Sequence, residues 1–308
     1  MGGVLLGTIV LFSILSPNAF PTAFNARNVL LDGATLLVMA VAMTFVMIAG
    51  GIDLSIGSVL VFANVAAAKV MAAMGTDNAL TIIVGLLVAL AAGCAWGIFN
   101  GFCIAKLRVP ALITTLGTLG AALGVANLLT QGNDVRDVPL KLINIGVGEF
   151  LTLSWLVWIA AIVALIGGLV LWTTRFGRHT YVIGSNAEAA RRAAINVDRH
   201  LIMLYALSGT TAGLAGMMSL SQFATTTISG HSTDVLIVIT GVVLGGTSLF
   251  GGIGTVGGTL IGIFIPVTLN NGLIIVNVQP FWQEVLTGFI LIGAVYLDQI
   301  KRRSRERA

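Results

Sequence analysis

Four acids, Asp32, Asp53, Asp234 and Glu284, interrupt long apolar runs in this chain. An aspartate at the centre of a membrane helix costs roughly 2.5–3.5 kcal/mol on insertion scales, so each acid needs a partner, a helix end or a task such as ion coupling. The most distinctive setting is that of Asp53, in the stretch GGIDLSIGS at residues 50–58. Gly50 and Gly51 suit the end of one helix, because glycine accepts left-handed backbone. Asp53 or Ser55 suits the N-cap of the next helix, where the dipole favours a carboxylate by about 0.3–1 kcal/mol. On this reading Gly50, Gly51 and Asp53 mark the tight junction of a helical hairpin. All four acids fall near predicted helix ends, which weakens the case for a buried proton relay.

Other motifs that would signal chemistry fail on context. Gly252 to Gly257 spells G-x-G-x-x-G, but a dinucleotide site needs a preceding strand in a βαβ unit. None of the lysines (69, 106, 141 and 301) follows a glycine, so there is no P-loop. His179, His200 and His231 lack metal-ligand spacing, and no serine lies in G-x-S-x-G. Cys94 and Cys103 fall on opposite faces of one predicted helix and imply no disulfide. No catalytic residue, metal site or cofactor is expected in this chain, nor any nucleic-acid partner.

The elements that must position these residues follow from composition. Of 308 residues, 57% are hydrophobic and 9% charged, against roughly 25% charged in soluble domains. Uncharged intervals at 78–105, 109–133, 150–174, 201–233 and 235–283 are long enough for helices of about 20 residues. Short alternating segments of an outer-membrane barrel are absent. The expected fold is an all-α polytopic membrane protein, one transmembrane domain over 1–308. Its ten spans are expected near 3–20, 28–49, 54–73, 80–104, 110–130, 151–172, 201–220, 233–249, 255–276 and 281–298. The ten glycines between residues 233 and 276, in spans eight and nine and the connection between them, also allow a re-entrant loop there. The basic segment from Arg175 to Arg199 and the tail KRRSRER place both termini in the cytoplasm.

Two features hint at internal duplication. Asn100-Gly101 precedes Pro110, and Asn271-Gly272 precedes Pro280, each after a span rich in small residues. Opposite orientations of the two copies predict an inverted repeat of spans 2–5 and 7–10. The triplets Gly93, Gly97, Gly101 and Gly254, Gly258, Gly262 each line one helix face and predict close helix packing within the subunit.

The segment at about 173–200 contains an exposed cytoplasmic helix. Ser185 or Asn186 suits its N-cap, Glu188 its first turn, and the run AARRAA its body. Here, together with GGIDLSIGS, RVPALITTLGTLG (108–120), GVVLGGTSLFGGIGTVGGTLIG (241–262) and LNNGLI (269–274), the chain resembles permease subunits of the ribose/xylose/arabinose-type ABC sugar importers. The resemblance runs over nearly the whole chain. It implies a type II-like importer fold and a permease that pairs with an identical or paralogous copy amid membrane lipids. It also implies sugar delivered by an extracytoplasmic binding protein, and a separate ATPase with two nucleotide-binding modules carrying ATP and Mg.

On the family's coupling helix, Asn186, Glu188, Ala189, Ala190, Arg191 and Ile195 are the residues expected to couple to the ATPase. The family usually has glycine where this chain has Ala194, which puts the helix end in question. A pathway for a neutral sugar calls for uncharged hydrogen-bonding groups. Ser55, Asn100, Thr114, Thr115, Asn270 and Asn271 are its candidates, with helix–helix hydrogen bonding the competing role for each. Two other readings stay open: an ion-coupled secondary transporter of a small polar solute using Asp53 or Glu284, and a membrane scaffold with no transport role.

Overall fold

The structure, a computed structural model, describes residues 2–231 and 233–306; Met1, Ser232, Arg307 and Ala308 lie outside them. Thirteen helices and one two-stranded hairpin make up the described residues. The long elements are α2 (Ala23–Ile48), α3 (Ile56–Met74), α4 (Ala79–Ala105), α5 (Ala111–Thr130), α7 (Trp155–Thr173), α10 (Val197–Phe223) and α12 (Val256–Ile275). These seven helices are long and apolar enough to cross a membrane. Shorter ones are α1 (Gly2–Leu15), α6 (Leu140–Val147), α8 (Arg175–Ser185), α9 (Ala187–Arg192) and α11 (Asp234–Leu244). The last, α13 (Pro280–Glu306), is apolar over Phe281–Gly293. The hairpin pairs Glu149–Phe150 with Leu153–Ser154.

Each expected span contains a helix, with one substantial change. The eighth, expected over 233–249, is helical only over the 11 residues Asp234–Leu244. At 1.5 Å per residue that is about 16 Å, roughly half the hydrocarbon core. Gly246, with φ 92°, stops it: the Gly246 amide donates to Val243 and the Thr247 amide to Val242, a Schellman cap that leaves no room for another turn. Hydropathy runs on across these glycines; the backbone does not. The expected loop over 131–150 also gains structure, since α6 packs on α10 with the Ser221 hydroxyl donating to the Leu142 carbonyl at 2.7 Å.

Helices α2, α3, α10 and α11 form the interior. From Gly33 to Ile48, α2 is buried at all but one position. Around them α4 packs on α10 and α3, α12 on α2 and α11, α5 on α3, and α7 on α2. The seam between α4 and α10 is backbone against backbone. A Cβ on Gly93 would meet the Gly209 carbonyl oxygen at 2.0 Å, and one on Gly97 the Tyr205 carbonyl oxygen at 2.1 Å. The second triplet behaves alike: Gly258 abuts the carbonyl oxygen of Gly245 and Gly262 that of Gly241. Both triplets therefore serve packing within the chain. Polar ties cross neighbouring seams, with the Thr44 and Thr259 hydroxyls 2.6 Å apart between α2 and α12, and Asn64 Nδ2 of α3 donating to Gly216 O of α10 at 3.1 Å.

This packing predicts a sharp contrast. Gly97→Ala overfills the α4–α10 seam and destabilises by about 1–3 kcal/mol, read as a lower Tm of the detergent-solubilised protein. Gly257→Ala, which has open space around it, leaves the Tm unchanged or slightly raised, since alanine favours helix.

Candidate functional site: the junction, the coupling helix and a neutral cavity

Three places concentrate polar groups inside or beside the bundle. The first is the α2–α3 junction. Helix α2 ends in a Schellman cap, with the Gly50 amide on Met47 O and the Gly51 amide on Val46 O, both at 2.9 Å. Gly50 supplies the positive φ of 80°, whereas Gly51 is needed for space: a Cβ there would lie 2.6 Å from Tyr205 Oη. The chain then turns inward, leaving Asp53 only 2% exposed. Its role differs from the expected cap. Ser55 is the N-cap residue of α3 and makes no capping bond with its side chain. Instead Asp53 Oδ1 accepts from the Ser55 amide at 3.0 Å and the Ser55 hydroxyl at 2.6 Å, while Oδ2 accepts from the Ser208 hydroxyl on α10 at 2.6 Å. Asn100 of α4 donates to Ser55 Oγ at 2.8 Å, and Tyr205 to the Ile52 carbonyl at 3.3 Å. One carboxylate thus fastens the junction to α10 and, through Ser55, to α4.

The second place is the segment 173–200. Asn186 caps α9, its Oδ1 accepting the Ala189 amide at 2.9 Å. Glu188, Ala189 and Arg191 are exposed with it. Ala190 is not: it is fully buried against Ile183 and Val197, with half-buried Ile195 packed beside it. Ala190 and Ile195 therefore hold the underside of α9 to the bundle, and the outward face consists of Asn186, Glu188, Ala189 and Arg191. Helix α9 also ends in a Schellman cap, the Ile195 amide on Ala190 O at 3.1 Å and the Ala194 amide on Arg191 O at 3.0 Å. The left-handed residue of that cap is Ala194, at φ 58°. The helix end, in question from the sequence, is thus fixed at the alanine despite its Cβ. Asp198 at the start of α10 accepts from Arg191 and from Lys106 after α4, each at 3.2 Å.

These two places touch. The Gly252 amide, between α11 and α12, donates to the Ile48 carbonyl at 2.8 Å. A Cβ on Gly184 of α8 would meet Ile48 O and Gly252 N. Tyr181 of α8 donates to Gly254 O at 2.6 Å, and partial burial raises its phenol pKa, which keeps it a donor. The ends of α2, α8 and α11 therefore converge on one edge of the bundle.

The third place is a cavity of about 400 Å³ between α3, α5 and the segment that leads into α11. Ser58, Asn127, Ser229 and His231 line it, with Leu54 and Leu119 among its apolar walls and no Asp, Glu, Lys or Arg. None of the six residues proposed from sequence for a pathway lines this cavity. Ser55 and Asn100 are buried in the Asp53 network, and Thr115 donates to the Ala111 carbonyl at 2.8 Å. Thr114 Oγ1, Asn270 Oδ1 and Asn271 Oδ1 are buried without a partner among the described residues. The i, i+4, i+8 spacing of Leu119, Leu123 and Asn127, which line it together, was the available signal, but it looks like an ordinary helix face.

The match to known proteins covers this whole arrangement. Residues 25–295 match the family described as the branched-chain amino acid transport system / permease component. The chain belongs to this permease family. Among its relatives, the ribose import permease protein RbsC of Escherichia coli (strain K12) is 37% identical over 97% of this chain and 92% of its own length. The L-arabinose ABC transporter permease protein AraH of Azospirillum brasilense is 33% identical over 98% and 88%. The autoinducer 2 import system permease protein LsrC of Photorhabdus laumondii is 31% identical over 96% and 87%. No solved structure matches the chain significantly. The resemblance drawn from the sequence motifs, to ribose/arabinose-type ABC importer permeases, is the family found here. The permease is accordingly a multi-pass membrane protein and a transport subunit.

Two outcomes check the geometry. Asp53→Ala strands the Ser55 amide and the Ser55 and Ser208 hydroxyls, at about 1–3 kcal/mol for each buried orphan, and lowers the Tm of the purified permease strongly. Asp53→Asn is milder, because its amide still accepts from Ser55 and donates to Ser208. Ala194→Gly relieves about 1–2 kcal/mol of left-handed strain, which outweighs the roughly 0.4–1 kcal/mol gained by the unfolded chain, and so raises the Tm.

Proposed function

We propose that this permease is the membrane-spanning subunit of an ATP-driven importer that moves a monosaccharide or related polyol across a bacterial inner membrane. Two copies, identical or paralogous, sit side by side and take substrate from an extracytoplasmic binding protein. ATP and Mg bind on a separate ATPase chain, which the outward face of α9 engages. The carrying observation is the build of α9: capped at Asn186, glued down by Ala190 and Ile195, and exposing small Ala189 between charged neighbours. A partner that pushes on α9 pushes on α10 through the Arg191–Asp198 pair, and on α8. From α8 the contact at Gly184 and Tyr181 leads to the ends of α2 and α11.

Ten crossings with both termini inside complete the proposal: α1 and the apolar part of α13 are included, and the eighth crossing is made by the short α11 together with the segment that leads into it. The inverted repeat is supported by matched packing: α10 lies on α4 as α2 lies on α12, and α3 meets α4 and α5 as α11 meets α12 and α13. The pathway reading rests on the neutral cavity between α3, α5 and α11, whose hydroxyls, amide and imidazole suit a polyol. The names of the relatives, ribose, arabinose and autoinducer 2 importers, support the substrate class. An ion-coupled carrier finds less support, since both oxygens of Asp53 are already engaged and Glu284 lies exposed on α13.

Ala189→Arg blocks docking at a position where the fold tolerates it, and reduces sugar uptake in cells at least tenfold with normal permease levels in the membrane. Uptake that persists removes α9 as the coupling element. Ala190→Arg is unsuited to the question because it breaks the internal packing.

A further inference from the structure

A second cavity, of about 310 Å³, lies on the other side of the segment that leads into α11. Its walls are Asp32, Thr35 and Leu36 of α2, Gln222 and Phe223 of α10, and the polar residues Thr227, His231 and Asp234. Among the residues lining both cavities, only His231 is shared. The imidazole is held at both nitrogens, Nε2 by Ser219 Oγ at 2.9 Å and Thr227 Oγ1 at 2.8 Å, and Nδ1 by Asp234 Oδ2 at 2.7 Å. Across the cavity stand Asp32 of α2 and Gln222 of α10. Thr35 is 7% exposed, and its hydroxyl has no partner among the described residues.

The chamber therefore combines two carboxylates, an amide and hydroxyls with an apolar wall from Leu36 and Phe223. Carboxylates accept hydrogen bonds only, and a sugar's vicinal hydroxyls are donors that match them. Phe223 and Leu36 offer a surface for the C–H face of a sugar ring. The volume lies at the lower end of the range for small-molecule sites, about 300–1,000 Å³, which favours a single ring. A metal ion fits less well: among the described residues no three of His, Cys, Asp and Glu converge on one point.

We propose that this chamber is a monosaccharide-binding station within the permease. Asp32 and the unpartnered Thr35 hydroxyl bond ring hydroxyls, and the His231–Asp234 pair forms the partition from the neutral cavity. The proposal rests on the transport reading above and deepens it. It is tested in the complete importer in lipid nanodiscs or proteoliposomes, with D-ribose, L-arabinose and D-xylose as probes. Asp32→Asn and Thr35→Val are expected to lower uptake of the transported sugar at least tenfold, while the loaded binding protein still stimulates ATP hydrolysis to the wild-type level. Full uptake by both variants overturns the station, and so does loss of uptake together with loss of stimulated hydrolysis.

A second readout leaves the acid in place. Phe223→Cys, in a chain whose Cys94 and Cys103 are replaced by serine, is labelled by a membrane-impermeant methanethiosulfonate. The transported sugar is expected to slow labelling at least threefold, and a rate indifferent to sugar overturns the proposal. A wild-type importer that carries none of the three sugars strikes the transport reading and the station with it. Normal wild-type transport with unaffected variants strikes the station alone.

Discussion

The carboxylate of Asp53 is the point on which the interior depends. A buried aspartate is tolerable only when its oxygens are occupied, and here three donors from two separate parts of the chain occupy them. Satisfying the acid requires α10 to lie against the α2–α3 junction. That placement brings Tyr205 over Gly51 and lets Asn100 of α4 reach Ser55. The same group that interrupts the apolar run thus selects which helices meet.

Around this point the fold is set by close approach. Glycines on α4 meet glycines on α10, and glycines on α12 meet the end of α11, so carbonyl oxygens take the place that side chains fill in other bundles. In a bilayer, where burial of apolar surface gives helices little reason to associate, such contacts and the polar ties across them carry the packing. Left-handed caps at Gly50, Ala194 and Gly246 then stop α2, α9 and α11 at fixed residues.

Much of this was legible in the sequence, for identifiable reasons. Helical class and the positions of the long apolar helices follow from long uncharged intervals, and the Asn186 cap from local side-chain chemistry. The glycine triplets show their helix face by spacing alone. What escaped was non-local or looked ordinary. Ser208 stands 155 residues from Asp53, and nothing in either neighbourhood announces the bond. The half-length of α11 is hidden because glycine barely alters hydropathy, although it ends a helix. Ala190 and Ala189 are alike in sequence, and only the packing of α9 separates the inward one from the outward one. The polar residues of the two cavities belong to types that satisfy helix ends everywhere, and their convergence requires the fold.

The α4–α10 seam also decides where the molecule can change shape. A contact made by backbone atoms has no rotamers to exchange, so the two helices cannot slide past each other by small repacking steps. They behave as a single strut. Any alternation between two openings has to be taken up by pieces with side chains at their borders and short lengths to swing, and the short α11 with the polar segment before it is the piece of the interior so built.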